Sequence, residues 1–242
     1  MPEQFGGRLL MFEAKPGTFL ATLNKRLTRT IITGAEHLVA LGKSGPGMLI
    51  MNHTTVVDVI VTLGSLHKLG YTVDVACKES CTHTRHIRPI GTSDVWNYSF
   101  TRKIVEGSGV IPVDQHDGRS AYRDALRALD NDECVLIYPE GDVKINADAS
   151  PRPWRPGAVA LAKSRLMPII PIAHHDSRKL GSGTVAKSII LALTRWSKRP
   201  VIHLNIGRPI FPEELVGKNA TEIGQIMFDR LVETWQLAKA AN

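Results

Sequence analysis

The chain has 242 residues, 43% apolar and 22% charged, a globular composition long enough to bury a core without disulfide or metal staples. Lys and Arg number 30 against 23 Asp and Glu, a formal charge of +7, so the surface favours phosphates, nucleic acid or an acidic membrane face. Three cysteines make no disulfide framework, which points to a reducing compartment, and no window approaches the roughly 18 apolar residues of a spanning helix.

In chain order, residues 1–17 are punctuated by Pro and Gly, and Leu9–Phe12 is too short for the apolar core of a signal peptide. From Phe19 to Ile32 a helical period sets Leu20, Leu23, Leu27 and Ile31 on one face, with Lys25, Arg26 and Arg29 adding charge. Residues 1–40 therefore read as an amphipathic N-terminal segment. It either lies in a membrane interface or packs on its own domain. Residues 41–242 read as one further domain. Strands are expected at Met48–Met51, Tyr71–Ala76, Val110–Val113, Cys134–Tyr138, Pro168–Ile172 and Val201–Ile206. Helices are expected over about 55–69, 119–129, 157–165 and 221–238. This alternation predicts an α/β fold with a mostly parallel central sheet flanked by helices, and a site at the strands' C-terminal ends.

Four local patterns carry chemistry. Asn52-His53-Thr54-Thr55-Val56-Val57-Asp58 follows the first of these strands. On one regular helix His53 and Asp58 would point apart. They meet only if His53 precedes the helix and Asp58 lies one turn inside it, with Thr54 or Thr55 as N-cap. A carboxylate on one imidazole nitrogen leaves the other as a base, and free N–H groups at the helix start would attract an anion. Tyr138-Pro139-Glu140-Gly141-Asp142 makes a tight turn that holds Glu140 at another strand's end. Gly109–Asp114 is a strand closing on an acid, and Pro168–Ile172 is a strand punctuated by prolines.

In this order the patterns resemble the glycerophospholipid acyltransferase family, of the lysophosphatidate acyltransferase type. His53 to Asp58 matches its H-x4-D motif and Tyr138–Gly141 its F-P-E-G. Gly109–Asp114 and Pro168–Ile172 match its second and last motifs. Lys78-Glu79, Arg155-Pro156-Gly157 and Gly207-Arg208-Pro209 are similar to further family positions, and the likeness spans roughly residues 45–210. The resemblance implies a cytoplasmic-face, membrane-peripheral enzyme. It would transfer a fatty acyl group from acyl-CoA or acyl carrier protein to the hydroxyl of lysophosphatidic acid, giving phosphatidic acid, with no metal or bound cofactor. It also implies His53 as base, Asp58 as its orienting partner, and Glu140 and Gly141 at the acceptor. Lys78, Lys144 and Arg155 are the candidate phosphate contacts. Backbone N–H groups near the helix start or Gly141 are the candidate oxyanion donors. Two positions depart from the pattern: Gln115 stands where many members have Arg, and Asp142-Val143-Lys144 follows the Glu-Gly. Another lysolipid or glycolipid acceptor, or a non-catalytic membrane-surface module, are the alternatives.

Other chemistries lack their signals. Cys77, Cys81, His83 and His86 do not have paired-Cys zinc spacing and lie among basic residues. His174 and His175 are adjacent on an extended chain, so they point apart and make poor co-ligands. There is no nucleic-acid motif, aromatic residues are only 6%, and neither a G-x-S-x-G elbow nor a phosphate-binding G-x-x-x-x-G-K loop occurs.

Overall fold

The computed structural model describes residues 15–55, 57–74, 85–92, 107–114, 117–141, 143, 148–175, 177–181, 194 and 198–241. Among these are eight strands and five α-helices. The strands are β1 (Arg29–Thr33), β2 (Gly47–Met51), β3 (Tyr71–Thr72), β4 (Arg85–Thr92), β5 (Ile111–Val113), β6 (Cys134–Ile137), β7 (Ile169–His175) and β8 (Val201–Ile206). The helices are α1 (Pro16–Leu27), α2 (Asp58–Lys68), α3 (Arg119–Asp130), α4 (Gly157–Ser164) and α5 (Ala220–Ala240). The strands form one sheet in the order β1-β8-β7-β2-β6-β4-β3, with β5 beside β4. Every pairing is parallel except β7 with β8. This is the mostly parallel α/β sheet that the sequence predicts.

β2 lies at the centre, between β6 and β7, and all five of its residues are buried. A strand covered on both faces needs apolar side chains on both, hence its unbroken apolar run. Met48 and Ile50 meet Ala125 and Leu129 of α3, Leu161 of α4, and Met227 and Leu231 of α5. Leu49 and Met51 face the other way, into a layer with Leu20 of α1, Leu63 and Leu66 of α2, and Ile170 and Ile172 of β7.

Two expectations are corrected. The N-terminal helix stops at Leu27 rather than Ile32, and Arg29–Thr33 is an edge strand paired in parallel with Val201–Asn205. Thr28, Thr30, Ile31, Ile32 and Thr33 are β-branched and favour extended backbone. Thr28 completes the stop through its hydroxyl, which donates to Asn24 Oδ1 at 2.6 Å. Ile31 is thus not part of the helix's apolar stripe. That stripe, Leu20, Asn24 and Leu27, is buried within the protein, and the Asn24 amide donates to Val61 O and Ser65 Oγ of α2.

Second, β4 is a strand that periodicity missed. Arg85, His86, Arg88 and Pro89 hide it. Arg85 is buried because its guanidinium binds the carbonyls of Leu41, Gly45 and Asp132, while His86 and Arg88 both reach Glu133, at 3.3 Å and 3.1 Å.

α1 and α2 pack closely because Gly64 has no side chain. A Cβ there would lie 2.6 Å from Leu20 O and 2.9 Å from Asn24 Cβ. Helix propensity alone favours Gly64→Ala by about 1 kcal/mol. We expect the opposite sign, a loss of about 1–3 kcal/mol from overpacking. A urea midpoint equal to or above that of the wild type would refute the close-contact argument.

Candidate functional site

The parallel ladders determine what meets at the C-terminal end of β2. Ile50 pairs with Ile137 of β6, and Met51 pairs with Ile172 of β7. Carried past the strand ends, the first register sets His53 opposite Glu140 and the second sets it opposite His174. Period-2 alternation then puts His53, Tyr138, Glu140 and His174 on the face that carries α2. Asp58, the first residue of α2, arrives from above this row.

The contacts follow. His53 Nδ1 lies 3.1 Å from Asp58 Oδ2. The same oxygen accepts the Thr54 N–H at 2.6 Å and the Thr55 N–H at 2.9 Å. His174 Nε2 approaches it to 3.2 Å, off the line of a well-formed hydrogen bond. Glu140 Oε1 accepts the His53 backbone N–H at 3.1 Å, and its Oε2 pairs with Arg152 Nε at 3.0 Å. The Tyr138 ring lies against the His53 ring, with centroids 4.4 Å apart. Asn52 links β2 to β7: its amide donates to His174 O at 3.3 Å, and its carbonyl accepts the His174 N–H at 3.1 Å. Thr54 Oγ1 lies 2.6 Å from Ser177 Oγ, a second tie just beyond β7.

Asp58 is wholly buried, while the His53 side chain keeps 15% exposure, so the pair opens to solvent through the imidazole. Burial alone would raise the Asp58 carboxyl. The neighbouring His174 and then His53 outweigh it and hold the group well below the usual carboxylate range. Glu140 moves the other way: burial raises it, against the His53 N–H and the Arg152 charge. Burial, with the Asp58 charge behind it, also pushes the Tyr138 hydroxyl up, so it stays protonated. With Nδ1 committed to a carboxylate, His53 has Nε2 left to take a proton from a bound hydroxyl.

His53 precedes α2, and Glu140 and Gly141 follow β6, as the sequence reading has them, whereas Asp58 is the first residue of α2 rather than one turn inside it. Gly141 has φ +74° and leaves room for the Arg155 side chain, whose Cδ and Nε would lie 2.5 Å from a Cβ at that position. Arg155 thus covers the turn, and its N–H donates to Pro139 O. The cation on Glu140 is Arg152, which the motif comparison passed over. Lys78 and Lys144 lie outside the described residues, as do Gln115, Asp142, Cys77, Cys81 and His83.

The described N–H groups that the sequence reading offers as oxyanion donors are engaged within the protein. The Thr54 and Thr55 N–H groups serve Asp58, the His53 N–H serves Glu140, and the Gly141 N–H donates to Tyr138 O at 3.1 Å. Thr54 and Thr55 do not cap α2; the residue before the helix is Val57, and Asp58 folds back on the loop. His174 faces Asp58, whereas His175 faces Trp235 of α5, with ring centroids 6.3 Å apart, so the two histidines do point apart.

Asp58 pairing has a stability consequence. Its folded-state pKa lies below the unfolded value of about 3.9, so the stabilisation is complete above that value and drains as pH falls through it. Asp58→Asn is expected to lower stability by about 1–3 kcal/mol at pH 7, since two N–H groups and His53 lose their charged acceptor. Urea titrations should show this gap narrowing below about pH 4. A gap independent of pH would mean that the carboxylate charge contributes nothing.

A family model for acyltransferases matches residues 29–175. A search of curated protein sequences finds no match. Among solved structures, the crystal structure of the 1-acyl-sn-glycerophosphate (LPA) acyltransferase, PlsC, from Thermotoga maritima is similar, with a TM-score of 0.61 and 14% sequence identity. That match covers 90% of this chain and 78% of the other.

Proposed function

The chain belongs to the acyltransferase family, and from that premise we propose that it acylates the free hydroxyl of lysophosphatidic acid to give phosphatidic acid, with acyl-CoA or acyl carrier protein as donor. The observation that carries this reading is His53 held by a buried Asp58 at the open end of a central parallel strand.

In this mechanism His53 Nε2 removes the acceptor proton as the hydroxyl oxygen attacks the thioester carbonyl. Asp58 holds the ring and stabilises the imidazolium. The tetrahedral intermediate collapses, the C–S bond breaks, and the imidazolium returns its proton to the departing thiolate. One ester forms, one thioester is lost, and no acyl-enzyme or cofactor is required. Glu140 fixes the His53 backbone and holds Arg152 beside the site, where the guanidinium supplies positive charge for the acceptor phosphate. Lys78, Lys144 and Arg155 remain proposed phosphate contacts.

We further propose peripheral docking on an anionic, cytoplasmic membrane face. Among the described residues no helix is long and apolar enough to cross a membrane. The apolar stripe of α1 is buried inside the protein, so its attraction to lipid would be electrostatic. Leu27 at the end of α1 packs with Val57 and Val61 beside the start of α2. This brings Lys25 and Arg26 to the same edge of the sheet as His53. Arg199, which precedes β8, lines a groove there with them and Thr22.

The first test mixes purified protein with palmitoyl-CoA or palmitoyl carrier protein and a panel of lysolipids, and identifies products by mass spectrometry. Acylated lysophosphatidate and free thiol are expected from wild type, with a loss of at least about a thousandfold in His53→Ala. Transfer only to another lysolipid would keep the mechanism and overturn the acceptor. No transfer from either donor would favour a membrane-binding module. For docking, Lys25→Gln/Arg26→Gln/Arg29→Gln should weaken sedimentation with vesicles containing phosphatidylglycerol by about tenfold or more. Unchanged binding would remove this edge as the docking surface.

A further inference from the structure

His174 is a charged-site neighbour that the acyl-transfer mechanism above does not use. It is fully buried, and its Nε2 lies 3.2 Å from the same Asp58 oxygen that His53 approaches at 3.1 Å. Two imidazoles thus share one carboxylate oxygen, which is unlike a simple His–Asp pair with one imidazole and one orienting acid.

Its position is tightly held. Parallel pairing of β2 with β7 brings His174 to the level of His53, two residues past the Met51–Ile172 pair. The two hydrogen bonds between the Asn52 side chain and the His174 backbone then replace the ladder where β2 ends. The contact between Thr54 Oγ1 and Ser177 Oγ ties the two exits again. The His174 backbone is therefore fixed at the level of His53, and its buried ring lies against Asp58.

We propose that His174 is a positioning residue for the transfer reaction, drawing part of the Asp58 charge toward itself and so limiting how strongly Asp58 stabilises the His53 imidazolium. The proposal rests on His53 as the base. It acts only through Asp58: His174 need not touch substrate.

The physical argument is competition for one anion. An imidazolium beside a full carboxylate is stabilised, and a second N–H group near that carboxylate reduces the field that the first one feels. Among the described residues, the titratable and charged groups around this centre are Asp58 from α2, His53 after β2, Tyr138 and Glu140 after β6, His174 from β7, and Arg152, which reaches Glu140. Tyr138 stays neutral, and Glu140 and Arg152 offset one another, leaving His174 as the group best placed to compete with His53 for Asp58. Removing the second imidazole would leave Asp58 to His53 alone, make His53 a stronger base and move its titration to higher pH.

The test compares wild type with His174→Leu, which removes the N–H, and His174→Gln, which keeps a neutral N–H of similar reach. NMR of 13C-labelled histidine, with the His53 resonance assigned by its loss in His53→Ala, follows the His53 titration directly. In parallel, kcat/KM for transfer is measured against pH, and urea unfolding verifies the fold. In His174→Leu the His53 midpoint and the acid limb of the rate profile should both rise by about one pH unit. In His174→Gln both should stay near wild type. A folded Leu variant with an unmoved His53 midpoint would overturn the proposal, and so would an equal rise in Gln and Leu, which would trace the effect to ring packing. A moved midpoint with an unmoved rate profile would keep the coupling between the two histidines and overturn His53 as the base.

Discussion

Parallel pairing of β2 with β6 on one side and β7 on the other is the constraint from which the site follows. Parallel strands present the same end to the same edge, so three consecutive strands of the sheet deliver their exit loops together. Their registers then decide which residues meet: Glu140 and His174 fall level with His53, one on each side. A slip of one residue in either ladder would turn the neighbouring side chain to the opposite face. The buried apolar residues of β2, β6 and β7 resist such a slip, because both faces of the sheet are packed against helices. The chemistry at the edge is therefore as well defined as the core beneath it.

Burying the Asp58 carboxylate at the helix start is costly without compensation. Two loop N–H groups and two imidazoles surround one of its oxygens, and these are supplied by the residues whose positions it fixes. The carboxylate both ties down the Thr54 and Thr55 N–H groups and lies against the His53 ring. Among the described donors at this end, the Thr54, Thr55, His53 and Gly141 N–H groups are all engaged within the protein.

How far the sequence led can be judged residue by residue. The places of His53 and Glu140 at strand ends are readable from local pattern, and the central strands from their short apolar runs. Arg152 and His174 are not. Their partners lie 12 and 116 positions away, and only the folded turn and the β2–β7 register bring them in. The one sequence signal for His174 was its parity with Ile170 and Ile172, which assigns it to the α2 face once a strand is accepted there. β4 escaped because its charged residues are satisfied by carbonyls and by Glu133, partners that periodicity does not register. The helix at the N-terminus was overextended because Ile31 happens to continue a helical spacing, while the β-branched run around it favours a strand.

Among the pairings of the described strands, only that of β7 with β8 is antiparallel, and it sets the geometry of the sheet's far side. Because β8 runs against β7, and β1 follows β8 in parallel, the starts of β8 and β1 lie at the edge where β2, β6 and β7 end. Arg199 precedes one of these strands and Arg29 opens the other. α1 descends onto the same edge, ending with Lys25 and Arg26. A fully parallel sheet would have put those strand starts at the far side, away from His53. Reversal of two strands therefore gathers basic residues from two separated segments, 25–29 and Arg199, onto the rim of the His53–Asp58 pair. Long-range attraction of an anionic surface to that rim would orient the open side of His53 toward it, so that docking and access of the acceptor hydroxyl become one geometric event.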